Sequence, residues 1–198
     1  MATVMTEMSM SLDGFVADPS DGVEHLFRWY GNGDVAVPTA QPERVLRTSQ
    51  ASAGYLRELL ANIGAIVTGR RTFDVAGGWG GTNPWGVPVF VVTHSIPDGW
   101  PRDDAPFTFV TDGIESAVAQ AKATAGDGWV EVGAADIARQ CLDAGLLDEI
   151  RVDLIPVLLG DGVRFFDGLN GVPVELEGPA VVEGSGVTHL AYRVRRSG

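Results

Sequence analysis

Apolar and β-branched residues along this chain gather in short runs, and these alternate with stretches where apolar residues return every three or four positions. Thr3 to Met10 alternates loosely and reads as an opening strand. Ala65 to Thr68, Pro88 to Ser95, Phe107 to Val110 and Trp129 to Val132 read as further strands. Helical spacing holds for Leu56, Leu59, Leu60 and Ile63, which follow Ser52 as a cap and stop at Gly64. It holds again for Ile114, Ala117, Val118 and Ala121, in a helix opened by Asp112 or Gly113, and for Ile137, Ala138, Cys141 and Leu142. Strands that alternate with helices predict a largely parallel sheet. Asp148 to Ile155 alternates cleanly, with Ile150, Val152 and Leu154 on one side and Glu149, Arg151 and Asp153 on the other. Val181 to Val194, split by Gly184-Ser185-Gly186, reads as a β-hairpin, so antiparallel pairing is expected at the carboxyl end.

Pro19 to Thr48 breaks this rhythm and carries Glu24, His25, Arg28, Trp29 and Tyr30 among glycines and prolines. A long irregular connection is often a binding loop or lid. Its aromatics either flank a planar ligand or anchor the loop on the core. The 198 residues are enough for a sizeable core and read as one domain, residues 1–198. The net charge of −12 argues against nucleic-acid or anionic-membrane partners, so any anionic ligand needs a local basic pocket. The first ten residues have no basic segment ahead of an apolar core, and no stretch is apolar enough for a membrane span, so a cytoplasmic location is expected. One cysteine, Cys141, excludes an internal disulfide and a cysteine-rich zinc site, and no metal is expected. Cys141 is either a small core residue or a nucleophile.

The candidate chemistry centres on Ala65 to Ser95. An apolar strand runs into Gly69-Arg70-Arg71-Thr72 and then into a stretch able to open a helix. Free amides and the helix dipole at such a turn favour an anion, glycine permits close approach, and arginine pairs with phosphate through forked donors. The strand ending in Thr93-His94-Ser95 suits a second phosphate or ribose contact. A third strand end, at Gly133-Ala134-Ala135 before Ile137, admits a pyrophosphate or serves tight strand–helix packing. Neither the Gly-x-Gly-x-x-Gly fingerprint nor a Walker loop is present. Asp13, before Gly14, either faces a ligand crevice at a strand end or simply makes a turn.

Four stretches together resemble one family: Met10-Ser11-Leu12-Asp13-Gly14-Phe15-Val16-Ala17, Gly69-Arg70-Arg71-Thr72-Phe73, Phe90-Val91-Val92-Thr93-His94, and Gly145 to Ile150 with Pro156 to Gly162. They look like the dihydrofolate reductase-like proteins that share the reductase domain of the bifunctional riboflavin-biosynthesis deaminase/reductase. The resemblance implies a three-layer α/β/α fold, with a mixed, mostly parallel sheet and a carboxyl-terminal antiparallel hairpin. It implies NADPH as cofactor and hydride transfer to a pterin-like or ribosylaminopyrimidine-like heterocycle. Carried over by position, Gly69, Arg70, Arg71 and Thr72 hold the cofactor phosphates, and Thr93, His94 and Ser95 lie by the 2′-phosphate. Gly133, Ala134, Ala135 and Ile137 flank the pyrophosphate, where the family usually has Gly-Gly. Asp13 is the implied substrate contact and helper in protonating the acceptor. Apart from the resemblance, Trp29 of the irregular aromatic loop and Trp79 of the Gly77-Gly78-Trp79-Gly80-Gly81 loop are further candidate substrate contacts. Family members are commonly homodimers, and the Ile150 to Leu154 strand or the terminal hairpin offers an interface. The deaminase half is missing, since one cysteine cannot supply its zinc site. Two other readings remain open: reduction of another small carbonyl or a xenobiotic, and a nucleotide-binding module without turnover.

Overall fold

The computed structural model describes residues 2–133 and 135–195. In chain order its elements are β1 (Thr3–Ser11), β2 (Phe15–Ala17), β3 (Val35–Pro38), β4 (Val45–Thr48), α1 (Gln50–Asn62), β5 (Ile63–Gly69), α2 (Arg70–Val75), β6 (Val89–Val92) and β7 (Phe107–Val110). There follow α3 (Ile114–Ala125), β8 (Trp129–Gly133), α4 (Ala135–Asp143), β9 (Glu149–Ile155), β10 (Val163–Arg164), β11 (Leu176–Gly184) and β12 (Val187–Val194). An eight-stranded sheet runs in the order β11-β12-β9-β1-β8-β5-β6-β7. From β9 to β7 every neighbouring pair is parallel. The terminal hairpin adds β12 and β11 antiparallel at the β9 side, as the tail's pattern predicts.

The two-residue period of the strands divides the core between two faces. Val4, Ala65, Val67, Val130 and Val132 pack against Ala117 and Val118 of α3 and Ile137 and Cys141 of α4. Met5, Ile63 and Ile155 pack the other way, against Leu56 and Leu59 of α1 and against Trp29. Helices therefore cover both faces, which settles Cys141 as a core residue: burial pushes its thiol up to about 12. Phe73 of α2 joins Val89, Val91 and Phe107 in a third cluster near Trp79 and Trp100.

Three expectations change. Helix α1 begins three residues earlier, because its cap is Ser49, whose side chain accepts from the Ser52 amide. Ser52 is instead turned inward, 2.9 Å from His189 Nε2. The irregular segment contains the β3–β4 hairpin and a 3-10 turn at Arg28–Gly31. Strand β9 lies inside the sheet with Arg151 and Asp153 buried, so its alternation marks two packed faces and Ile150 to Leu154 offers no interface. The sheet edges are β7 and β11, and on β11 Leu176, Val181 and Val182 are exposed.

Ile137 sits under the β5–α2 turn, with Cγ1 only 3.3 Å from where a Cβ on Gly69 would stand. Ile137→Ala is expected to lower unfolding free energy by about 2–5 kcal/mol in urea denaturation, because it leaves a cavity at the sheet–helix boundary. A change near zero would place this side chain outside the core.

Candidate active site

Parallel strands that end side by side open a crevice at their carboxyl ends. β8, β5 and β6 are neighbours. The fold therefore brings Gly133 and Ala135, Gly69 to Thr72, and Thr93 to Ser95 to one rim; Ala134 lies outside the described residues. Gly69 is also the N-cap of α2, with extended backbone at φ −86° and ψ 159°. Strand thus passes directly into helix, and first-turn amides have no intrahelical partner. The Thr93 hydroxyl donates to the Ser95 carbonyl at 2.8 Å and Arg70 Nη1 donates to the same oxygen at 3.0 Å, tying the ends of β5 and β6 together.

The two arginines are not free donors. Arg70 Nε lies 2.9 Å from both Asp74 oxygens, and Arg71 Nη2 lies 2.8 Å from Asp21. Both pairs face solvent, where an ion pair is worth only about 0.2–1 kcal/mol, so they compensate charge more than they fix structure. His94 is exposed beyond β6, whereas Ile137 is buried beneath Gly69 and meets that turn from inside the core.

Beside the crevice is a cavity of about 220 Å³. Ile66 and Thr68 of β5, Glu131 and Gly133 of β8 and Met8 of β1 line its sheet side; Phe27, Tyr30, Trp79, Trp85 and Arg44 line the rest. Trp79 reaches it from a left-handed turn, at φ 49° and ψ 30° between Gly78 and Gly80, which also have positive φ. A bulky residue tolerates that backbone poorly, and the flanking glycines lower the cost. The Gln41 side-chain amide holds the turn by donating to the carbonyls of Trp79 and Thr82. Trp29, expected at the substrate, is instead a core residue at 1% exposure. Its indole N–H donates to Ser9 Oγ at 3.0 Å, and its ring stacks on Tyr30 at 4.1 Å, so it supports the cavity wall from behind.

The chemistry of the cavity rests on Glu131, which the sequence reading did not single out. The Trp85 indole lines the same cavity and favours its charged form. Its Oε2 is buried without a hydrogen-bond partner. Burial, with Glu7 adding to it, raises this carboxyl to about 8, so it holds a proton at neutral pH. The signal was present: Glu131 is a lone charge between the fully buried Val130 and Val132. A charged residue in a central strand is buried only at a cost, and so carries information.

Asp13 is corrected in the opposite sense. Ser11 Oγ donates to it at 2.6 Å, and the Gly160 and Leu159 amides donate at 2.7 and 3.1 Å. The Ser11 bond first, then the amides, hold it at about 2, so it is an ionised turn brace with no proton to give. It fixes the loop after β9 against the loop after β1.

Among the described residues no helix is long and apolar enough to cross a membrane. Residues 2–183 match the family model of the RibD C-terminal domain. The chain is 23% identical over 172 residues to Uncharacterized protein YwjB of Bacillus subtilis (strain 168), covering 86% of this chain and 87% of that protein. A crystal structure from Shewanella sp. PV-4, provisionally assigned to riboflavin biosynthesis, superposes with a TM-score of 0.71 at 22% identity over 99% of this chain and 100% of that one. The diaminohydroxyphosphoribosylaminopyrimidine deaminase/5-amino-6-(5-phosphoribosylamino)uracil reductase of Thermotoga maritima gives 0.65 at 14% identity, with 98% of this chain covering 57% of that one. Dihydrofolate reductase from Enterococcus faecalis, complexed with NADP(H), gives 0.59 at 13% over 98% and 97% of the two chains. Such identities speak to fold, and the fold is dihydrofolate reductase-like. With nearly the whole length matched by one family model, the chain belongs to the RibD C-terminal domain family.

Proposed function

We propose that this chain is an NADPH-dependent reductase delivering hydride to a pterin-like or ribosylaminopyrimidine-like heterocycle, with Glu131 as proton donor. The observation that carries this reading is the unpartnered, buried Oε2 of a carboxyl protonated at neutral pH, set in an aromatic cavity beside a strand-end crevice. Family membership and the NADP(H) of the Enterococcus faecalis neighbour support the reductase class and a nicotinamide cofactor.

The crevice fits such a cofactor. A Cβ at Gly69 would press on Ile137 in the core, so glycine there keeps the strand-to-helix turn tight beneath the crevice. First-turn amides of α2 and the hydroxyl of Thr72 supply phosphate donors. Arg70, Arg71, His94 and Ser95 stand at the rim, and the exposed pairs of the arginines yield easily to a phosphate. When bound, the nicotinamide supplies the hydride. Tyr30, Trp79 and Trp85 give the heterocycle flat walls and keep water away from Glu131. Glu131 passes its proton to the ring nitrogen or carbonyl oxygen that becomes basic as hydride adds. A midpoint near 8 lies close to working pH, where proton transfer is most effective.

Glu131→Gln is expected to leave NADPH affinity within about twofold by calorimetry while lowering kcat by about 10²–10⁴ with dihydrofolate or the ribosylaminopyrimidine as acceptor. Unchanged turnover would remove Glu131 from the chemistry, and lost cofactor binding would make it structural. His94→Ala should weaken NADPH more than NADH; equal losses would put His94 away from the 2′-phosphate.

Glu131 also has a signature in stability. Its folded value of about 8 exceeds the ordinary 4.5, so its contribution is complete below pH 4.5 and is lost as pH rises through 8. Glu131→Gln, which does not titrate, should gain on the wild type across that window, by about 3–5 kcal/mol at its upper end. Urea denaturation at several pH values measures the difference, and parallel pH profiles would show that Glu131 ionises normally.

A further inference from the structure

The sheet face toward α1 carries a second buried cluster that the proposed reduction leaves unused. Ser9 is opposite Asp153 and Asp153 opposite His189, while Met5 is opposite Glu131. Glu7, Asp153 and His189 therefore share the face of Glu131 on neighbouring strands. Ser52 Oγ lies 2.9 Å from His189 Nε2, and His189 Nδ1 lies 2.6 Å from Asp153 Oδ1. This is the spacing of a nucleophilic Ser-His-Asp triad. Yet Ser52 and His189 are 1% exposed and Asp153 is 0% exposed, so no substrate reaches the hydroxyl. With Ser52 donating to Nε2 and Nδ1–H donating to Asp153, the ring is neutral. Burial pushes it down to about 4, in agreement.

Beyond His189 stand two carboxyls. Glu7 and Asp153 are diagonal neighbours on one face of β1 and β9, Glu7 Oε1 and Asp153 Oδ2 are buried without partners, and burial raises both carboxyls. Two facing carboxylates in a dry interior do not both ionise, so the pair holds one proton and one negative charge. Its surroundings leave that charge in place. The Tyr30 and Tyr55 phenols stay protonated, held up by burial and by these carboxyls. Arg151, on the same face, is already matched by Glu149 and by Glu58 at 3.6 Å, with its guanidinium 4.4 Å above the Trp129 ring.

We infer that Glu7 and Asp153 act as a positioning pair, whose single shared negative charge beside Glu131 keeps the proton on Glu131 until the acceptor takes it. The inference rests on Glu131 as proton donor. Glu7 is two residues beyond Met5, the partner of Glu131, and adjacent strands stand about 5 Å apart, so the charge lies within roughly 10 Å of that carboxyl. At that range it is felt through a poorly screened interior. Among the described residues, the Trp85 indole, the Tyr30 phenol, Thr68 and Asn83 and, across the cavity, Arg44 also line the cavity with Glu131.

Glu7→Gln combined with Asp153→Asn removes the shared charge and keeps the side-chain shapes. Carboxyl ¹³C NMR on protein labelled at glutamate Cδ, assigned with Glu131→Gln, reads the Glu131 midpoint without substrate or cofactor. The midpoint is expected to fall by about one pH unit or more in the double variant, roughly tenfold in acid strength. Glu7→Gln alone confines the charge to Asp153, one strand further away, and should give a smaller fall. In turnover the alkaline limb of kcat should move down equally, with KM unchanged. A Glu131 midpoint within about 0.3 unit of the wild type overturns the inference, and Glu7→Gln alone decides the matter if the double variant does not fold. A shifted midpoint without any turnover overturns the proton-donor reading and leaves the electrostatic coupling standing.

Discussion

A carboxyl group taken out of water in the middle of a parallel sheet has to keep its proton or find a cation, and the candidate site depends on that constraint. Glu131 finds neither cation nor full hydrogen bonding: one indole favours its charged form, and its Oε2 is left bare at the cavity wall. Glu7 and Asp153, on the next strands, are under the same constraint, and burial raises both carboxyls. The face toward α1 therefore combines a stability cost with chemical potential, since the features that disfavour ionisation make Glu131 a usable acid. Removing the acid is accordingly expected to stabilise the folded chain and disable it.

The acidic balance of the chain bears on the neighbouring crevice. An overall charge of −12 repels anions at long range. The strand ends answer locally, with amides, hydroxyls and two arginines whose exposed carboxylate partners, Asp74 and Asp21, occupy them until a stronger anion arrives. Those pairs are weak because water screens them. A phosphate gathering several amides and a guanidinium at once competes well against one carboxylate.

The aromatic walls of the cavity face its sheet side and are held by a few specific contacts. The left-handed Gly78-Trp79-Gly80 turn is pinned by Gln41, and Tyr30 is backed by the Trp29 ring. These contacts orient aromatic side chains over the sheet, the usual division between a positioning scaffold and the segments it carries.

Much of this was legible in the sequence, because it depends on neighbours along the chain. The strand and helix periods, the Gly113 start of α3, the Gly184-Ser185-Gly186 turn and the small residues at the ends of β5 and β8 are local patterns with local causes. The motifs from Asp13 to Gly162 that carry the family resemblance are local as well. What depends on partners across strands was not legible. Asp13 could be a substrate contact or a plain turn residue, and only the amides of Leu159 and Gly160, far along the chain, show what it braces. Arg151 and Asp153 had the alternation of a solvated strand face until α1 and Trp29 covered it. Glu131, Glu7 and His189 lie far apart in sequence, and only the pairing of β8, β1, β9 and β12 sets them on one dry face. Periodicity decides which side of an element a residue takes; whether that side meets water, and hence whether its carboxyl keeps a proton, is decided by what packs against it.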